Sequence, residues 1–509
     1  MKASKKSSSF RPKKALICTG VTVRSFRKLL PLNWFQVFCL CGLSIGFFLY
    51  SATLYDINIL PGSQYTDFND FETTTRQYEV EITEEAEIKE EIRYYKRPPG
   101  TEHLKCSWLM EGNHTDYIKK LAKKRMTYTD PKNFTGLPMD CTSIKARHRF
   151  PTIPTSKEEA DFPLAYARNV YTDYFYLEML LSASYQPQNY YCFSIDKKSS
   201  DLFKMRMQAL ANCFSNVFIS NNTRWLDSFG HNQDWSHLDC LRILAKKEKK
   251  WKYVQLLQNH DFPLKTNLET VRIFKLFNGS NDIQTTKEHG RVDYKKNWTF
   301  VNIGIFRNES RLHEIANYST ARLTFVKGNN ALSVVREAVD YVLFDLNITK
   351  TISMIDDGKK FAVDEVLFPT LLSNEDLRAP GYYTQTCVKK GINHGGVTRM
   401  AYWSYLKPPC YSGHFRHAIC VFGVADLAKN LDKSDHLNGN KMLPSFDFNA
   451  ITCWMEVIYN RTFIEQPKNR IHEHFYRTLP AVRFQKYKDK NGRVSKEALK
   501  SFKCGTSTG

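Results

Sequence analysis

Several common signatures are missing from this 509-residue sequence, and each absence excludes something. No two cysteines stand at Cys-x-x-Cys spacing, so zinc-ribbon sites are excluded. No Gly-x-Gly-x-x-Gly or Walker sequence follows a predicted strand, which argues against dinucleotide or ATP chemistry. No internal repeat is visible. Residues 1–28 hold no Asp or Glu, only nine Lys or Arg, and residues 29–55 hold no charge at all.

That uncharged stretch is the first thing present. At about 1.5 Å per helical residue, roughly 20 residues cross a bilayer's hydrocarbon core. Asn33, Trp34, Gln36 and Tyr50 sit where they can reach its interfaces. From Asp56 to Glu91 there are eleven acidic residues against Arg76 and Lys89. The charge bias keeps residues 1–28 cytosolic and sends the rest across the membrane, a type II anchor. A cleaved signal peptide fits less well, because the basic lead is long and the apolar core exceeds the 7–15 residues of a typical signal.

The formal charge is +21, and +12 remains once the basic lead is removed (64 basic, 52 acidic residues). Beyond the anchor this excludes chromosomal nucleic acid and favours anionic substrates or membrane surfaces as partners. Ten of thirteen cysteines follow the anchor, an even number that favours disulfides in an oxidising compartment. Nine Asn-x-Ser/Thr sequons, at Asn113, Asn133, Asn221, Asn278, Asn297, Asn308, Asn317, Asn347 and Asn460, also lie beyond it.

Residues 56–104 read as an acidic, polar stem, 105–465 as the lumenal catalytic body, and 466–509 as a basic C-terminal tail without pattern. Within the body, strands are expected at 162–167, 190–195, 216–220 and 252–257, with helices through 176–181, 202–213 and 236–249. A further helix is expected over 332–344, a strand over 418–423 and a helix over 425–431. This βαβα order predicts an α/β domain with a mainly parallel sheet. Asp196 closes the second strand, at the end where ligands gather; a turn or helix-cap Asp is the plainer alternative. The segment His260–Asn267 follows the fourth strand at the equivalent end.

A lumenal α/β domain on a stalk points to a Golgi transferase using a nucleotide sugar. Many such enzymes hold the diphosphate through a metal on Asp-x-Asp. That motif is absent, and the adjacent acids Asp356-Asp357 and Asp364-Glu365 are a different arrangement. Cationic side chains must then offset the leaving diphosphate.

The stretches Phe162-Pro-Leu-Ala-Tyr, Pro187-Gln-Asn-Tyr-Tyr-Cys, Asp261-Phe-Pro-Leu-Lys-Thr-Asn-Leu-Glu, Val363-Asp-Glu, Pro408-Pro-Cys and Cys420-Val-Phe-Gly-Val-Ala-Asp-Leu run in order over the body. In them the chain resembles the core-2/I-branching β-1,6-N-acetylglucosaminyltransferase family, which includes the peptide O-xylosyltransferases. The resemblance implies a GT-A-type fold working without metal or other cofactor. It implies a UDP-sugar donor and a glycoprotein glycan acceptor, with GlcNAc, xylose and glucose open as the sugar. Glu365 matches the family's base, where sequence alone would read an acid favoured by a helix dipole. Arg416 and Lys441 match its diphosphate-binding cations, and Trp403 and Tyr405 its acceptor-lining aromatics. Gln284 stands where the family has an acceptor-holding Glu, which keeps hydrogen bonds but loses the charge.

The resemblance further implies disulfides Cys106–Cys453, Cys141–Cys213, Cys192–Cys240 and Cys410–Cys420. Cys387 and Cys504 are left to pair with each other or with another chain, as in a homodimer. Two rival readings stand beside the enzyme: a catalytically silent sugar-binding ectodomain on the same anchor, and a secreted structural glycoprotein released by cleavage after residue 55.

Overall fold

The computed structural model describes residues 94–247, 251–468 and 471–505, and an antiparallel pairing of Ile17–Cys18 with Val21–Thr22. Apart from that pairing, the basic lead, the anchor and most of the stem lie outside the described residues. Among those described, no helix is long and apolar enough to cross a membrane. The chain divides into Met1–Glu85 and Ala86–Gly509, and every remaining element belongs to the second unit.

The core is a five-stranded sheet. Its centre is β1 (Leu164–Val170), all seven residues buried, as a strand covered on both faces requires. β2 (Tyr190–Ile195), β3 (Val217–Ile219) and β4 (Tyr253–Gln258) extend it in parallel, β2 and β4 flanking β1 and β3 beyond β2. The connecting helices are α1 (Tyr174–Ser184), α2 (Asp201–Asn212) and α3 (Gln233–Ala245). The first two have a clear start signal. Asp130 accepts from the N–H groups of Tyr174 and Phe175 at 2.6 and 3.1 Å, and Ser200 caps α2 through Phe203 N–H at 3.2 Å.

The mixed α/β body with a mainly parallel sheet is what the strand order predicts, and β2 is read to the residue. Elsewhere the structure corrects the reading. A helix α4 (Asn267–Phe277) follows β4, opened by a capping box between Thr266 and Glu269. The 332–344 stretch is not one helix: Leu332–Val335 is an edge strand antiparallel to β4, and helix begins at Arg336. All four strand residues are buried, and a short apolar run fits either period equally well. The expected 418–423 strand shrinks to Ile419–Cys420, and the 425–431 helix is a 3₁₀ turn, Val424–Asp426, running into a π-type turn.

The C-terminal stretch is also more than a basic tail. It forms short helices Glu473–Thr478, Pro480–Phe484 and Lys496–Ser501, and buries Tyr476, Phe484 and Phe502. Its lysines dominate the composition while three aromatics, Tyr476 and Phe484 in the first two helices and Phe502 just after the third, do the packing. The last stem residues likewise join the body: Arg97 grips Glu456 with hydrogen bonds of 2.6 and 2.9 Å, and Thr101 and Leu104 are buried.

Five disulfides close the body. Cys106–Cys453, Cys141–Cys213, Cys192–Cys240 and Cys410–Cys420 are the four that the resemblance implies. The fifth joins Cys387 to Cys504, so neither thiol is left for a link to another chain. Of the nine sequon asparagines, Asn347 and Asn460 are half-buried and the other seven exposed.

Candidate active site

The carboxyl ends of β1, β2 and β4 open into a cleft of about 540 Å³. Asn169–Tyr171, Asp196 and Gln258–His260 form its floor. The floor is cross-tied: Asn259 Oδ1 accepts from Tyr171 N–H at 2.7 Å, and His260 Nε2 meets Asp173 Oδ2 at 2.7 Å. Burial pushes the His260 imidazole down, with Asp173 opposing. Held by the carboxylate, the ring forms a fixed part of the cleft floor.

Asp196 is buried, and its Oδ1 accepts from the N–H groups of Lys198 and Leu226 at 2.9 and 3.4 Å. It is thus a turn aspartate that also lines the cleft; the helix cap belongs to Ser200.

One wall carries cations. Phe415–Arg416 and Ile419–Cys420 form a small hairpin whose turn residues, His417 and Ala418, have φ of 51° and 60°. Side chains resist this left-handed geometry by about 1–2 kcal/mol each, so something must hold it. The Cys410–Cys420 bond does so, with Asp426 accepting from the N–H groups of Tyr411, Ser412 and Gly423. Arg416 is thereby fixed over Tyr171, whose hydroxyl is raised by burial while Arg416 pulls it back. Lys441 follows the short strand Asn438–Asn440. Burial, with the charges of Arg416 and Arg399 adding, brings its amine down to about 8 against the pull of Asp261. Arg399 sits 3.7 Å from the buried Asp261 carboxylate, which also accepts from Asn440 Nδ2 at 2.8 Å. Three cations converging with one buried acid between them make a strong anion site.

The cleft is also lined by Glu365, which closes the 3₁₀ turn Val363–Glu365. Its Oε2 receives Arg291 Nη2 at 3.0 Å, Arg291 Nε at 3.1 Å and Lys327 Nζ at 3.1 Å. Beside it Asp364 is buried and pushed up to about 6, a hydrogen bond from Asn330 opposing. Gly230 makes this packing feasible: at φ +88°, a Cβ there would lie 2.1 Å from Asp364 Oδ1. Gly230→Ala will therefore destabilise the fold by about 2–4 kcal/mol, combining left-handed strain with overpacking. Thermal unfolding checks this; an unchanged Tm would refute the close approach.

The model of the family described as Core-2/I-Branching enzyme matches residues 164–430, more than half of the chain. The chain belongs to the core-2/I-branching enzyme family. It is similar to a human beta-1,3-galactosyl-O-glycosyl-glycoprotein beta-1,6-N-acetylglucosaminyltransferase, 33% identical over 368 residues, covering 69% of this chain and 83% of that one. It is also similar to the human enzyme of that name numbered 3, 28% identical over 377 residues and covering 71% and 84%. Among solved structures, the mannosyltransferase Ktr4p of S. cerevisiae in complex with GDP aligns at 11% identity and TM-score 0.24, covering 77% of this chain and 98% of that one.

This core-2/I-branching glycosyltransferase gathers Asp196, Glu365, Trp403, Arg416 and Lys441 around one cleft. Tyr405 stands at the rim, exposed, its ring 5.7 Å from that of Trp403. Its hydroxyl is raised by burial, with the charge of Glu365 adding. Gln284 does not line the cleft: its backbone packs behind Gly328, where an added Cβ would lie 2.3 Å from the Gln284 carbonyl. Gly328 N–H in turn donates to the Glu365 carbonyl at 2.8 Å.

Arg291, Lys327 and Arg399 were not legible in the sequence. Nothing in their spacing marks them, since packing brings each to its partner from far along the chain. The adjacent acids are engaged elsewhere: Asp356 accepts from Asn232 N–H at 2.6 Å, and Asp357 pairs with Lys296 at 2.6 Å. Among the described residues the grouping of potential metal ligands is Cys410, Cys420 and Asp426, and its two sulfurs are bonded to each other.

Proposed function

We propose that this chain is an inverting, metal-independent transferase of GT-A type, moving GlcNAc from UDP-GlcNAc to an O-linked glycan of a glycoprotein in β linkage. The observation that carries the reading is one cleft lined both by a candidate base, Glu365, and by three cations, Arg416, Lys441 and Arg399. In the reaction, Glu365 takes the proton of the acceptor hydroxyl as its oxygen attacks C1. The C1–O bond to the diphosphate breaks, and UDP leaves with the electron pair, its growing charge met by the cations. Attack opposite the leaving group inverts C1. Trp403 and Tyr405 offer ring faces to the acceptor sugar, and Asp196 is placed for the nucleoside.

Golgi residence on an uncleaved type II anchor at 29–55 belongs to the same proposal. Five disulfides and exposed sequons support an oxidising, lumenal site for the body.

The test is UDP release by the detergent-extracted full chain with UDP-GlcNAc, UDP-xylose, UDP-glucose and UDP-galactose, with EDTA present and a β-1,3-galactosyl O-glycan as acceptor. Release from UDP-GlcNAc that survives EDTA is expected. Release from another donor would reassign the sugar, and loss on chelation would overturn metal independence. Failure to bind UDP at all would favour a silent sugar-binding ectodomain.

A further inference from the structure

The cleft is lined by two histidines, His260 and His417, and they are held differently. His260 is buried in the floor and tied to Asp173 at 2.7 Å. His417 follows Arg416 at the turn of the small hairpin and is exposed. Its ring has no hydrogen-bond or ion-pair partner among the described residues. The turn itself is fixed: Ser404 N–H donates to the Ala418 carbonyl at 2.8 Å, and Cys420 just beyond is bonded to Cys410. Histidine accepts its φ of 51° more readily than most side chains do. A rigid support thus presents the ring to the cleft without engaging it.

The charges that bear on this ring are both positive. Arg416 precedes it on the hairpin, and Lys441 comes from the stretch after Asn438–Asn440. Tyr171, under Arg416, has its hydroxyl raised by burial and adds no charge. Desolvation pushes the His417 imidazole down, with Lys441 and then Arg416 adding. In the free protein the ring is therefore neutral near pH 7.

A bound diphosphate reverses that field. A UDP-sugar brings one negative charge on each phosphate. Arg416 and Lys441 meet them, since Arg399 already faces the Asp261 carboxylate at 3.7 Å. When the C1–O bond breaks, the electron pair stays on the terminal phosphate and a third negative charge appears there. Two standing cations then fall one short.

We propose that His417 is a proton-coupled ligand of the diphosphate: one proton passes from solvent to its ring as the donor binds, and the resulting imidazolium meets the charge of the departing UDP. The inference rests on the transferase reading of this cleft. It gives donor binding a pH window of its own. The proton strengthens binding where the free ring is unprotonated and the bound ring protonated, so affinity falls as pH rises through that window. This window lies below the one set by Lys441, whose amine titrates at about 8.

The test is isothermal titration calorimetry of the full chain with UDP-GlcNAc, UDP-xylose, UDP-glucose and UDP-galactose, in buffers of different ionisation enthalpy. The diphosphates of these donors stay fully ionised near neutrality, so they release no proton themselves. At about pH 6.5 Lys441 is already protonated, and the donor that binds should carry about half a proton or more onto wild type. Its Kd should rise about fivefold or more between about pH 5.5 and about pH 7.5. His417→Asn, which suits the same backbone geometry, should take up less than about a fifth of a proton and hold its Kd within about twofold over that range. His417→Arg, charged throughout, should also take up no proton, yet bind more tightly than His417→Asn at the upper pH. Binding by wild type without proton uptake overturns the proposal. So does uptake persisting in His417→Asn, the result expected if His260 or Asp364 took the proton. If no UDP-sugar binds, the transferase reading falls and this proposal with it. Uptake through His417 without transfer to any O-glycan would uphold its place at the diphosphate and reject the transferase reading alone.

Discussion

Replacing Glu365 by Gln will lower sugar transfer by about 10²–10⁴-fold, the usual contribution of a positioned general base. The substitution keeps the shape and a carbonyl oxygen for Arg291, while removing the capacity to accept a proton. Donor affinity should stay within about twofold, because the diphosphate is proposed to lie against Arg416 and Lys441 rather than on Glu365. The two effects must be read together, by steady-state transfer and by UDP titration of the same variant. A variant that loses UDP binding as well would mean that Glu365 supports the fold of the cleft. One retaining more than a tenth of wild-type transfer would remove it as the base.

The second large effect is expected at the cationic wall. Arg416→Ala should reduce transfer by about 10²–10³-fold, the loss seen when one preorganised donor to a developing anion is removed. Lys441→Ala should act similarly, with a pH signature that Arg416 lacks. In the free protein the Lys441 amine is brought down to about 8. Below that value it is protonated and meets the diphosphate as a cation. As pH rises through about 8 it loses its charge, so donor KM should climb between pH 7 and 9. Lys441→Arg should flatten that climb, since a guanidinium stays charged across the range. A donor KM that is flat in wild type, or equally steep in Lys441→Arg, would place the titration elsewhere.

What the sequence disclosed, and what it withheld, follows from the range over which each feature is decided. β2 was legible because its buried run ends at Asp196 and turn residues bound it on both sides. Helix α4 had a local signal too, the Thr266/Glu269 capping box, which overlaps the segment His260–Asn267 taken as the ligand end of the fourth strand. Leu332–Val335 was undecidable by pattern, since only its pairing with β4 makes it a strand. The site divides the same way. Arg416 stands between Cys410 and Cys420, whose pairing the resemblance implies, so a rigidly held cation could be expected there. Arg291 reaches Glu365 across 74 positions, and no local pattern foretells such a meeting. The charge state of that wall is therefore a property of the fold, and the resemblance, which carries motifs rather than contacts, did not deliver it.

The stapling of the body's entry has a mechanical consequence. Arg97 on Glu456 and Cys106 on Cys453 both fasten the incoming chain to one long helix, Phe448–Phe463. Any tug from a tether ahead of Tyr94 enters that helix through a covalent bond and a bidentate ion pair. That helix is tied in turn to the cation side of the cleft: Trp454 Nε1 donates to the Pro263 carbonyl at 2.8 Å, and Phe262–Pro263 pairs with the strand Asn438–Asn440 that leads into Lys441. Tension on the entry is therefore borne by the same framework that holds Lys441.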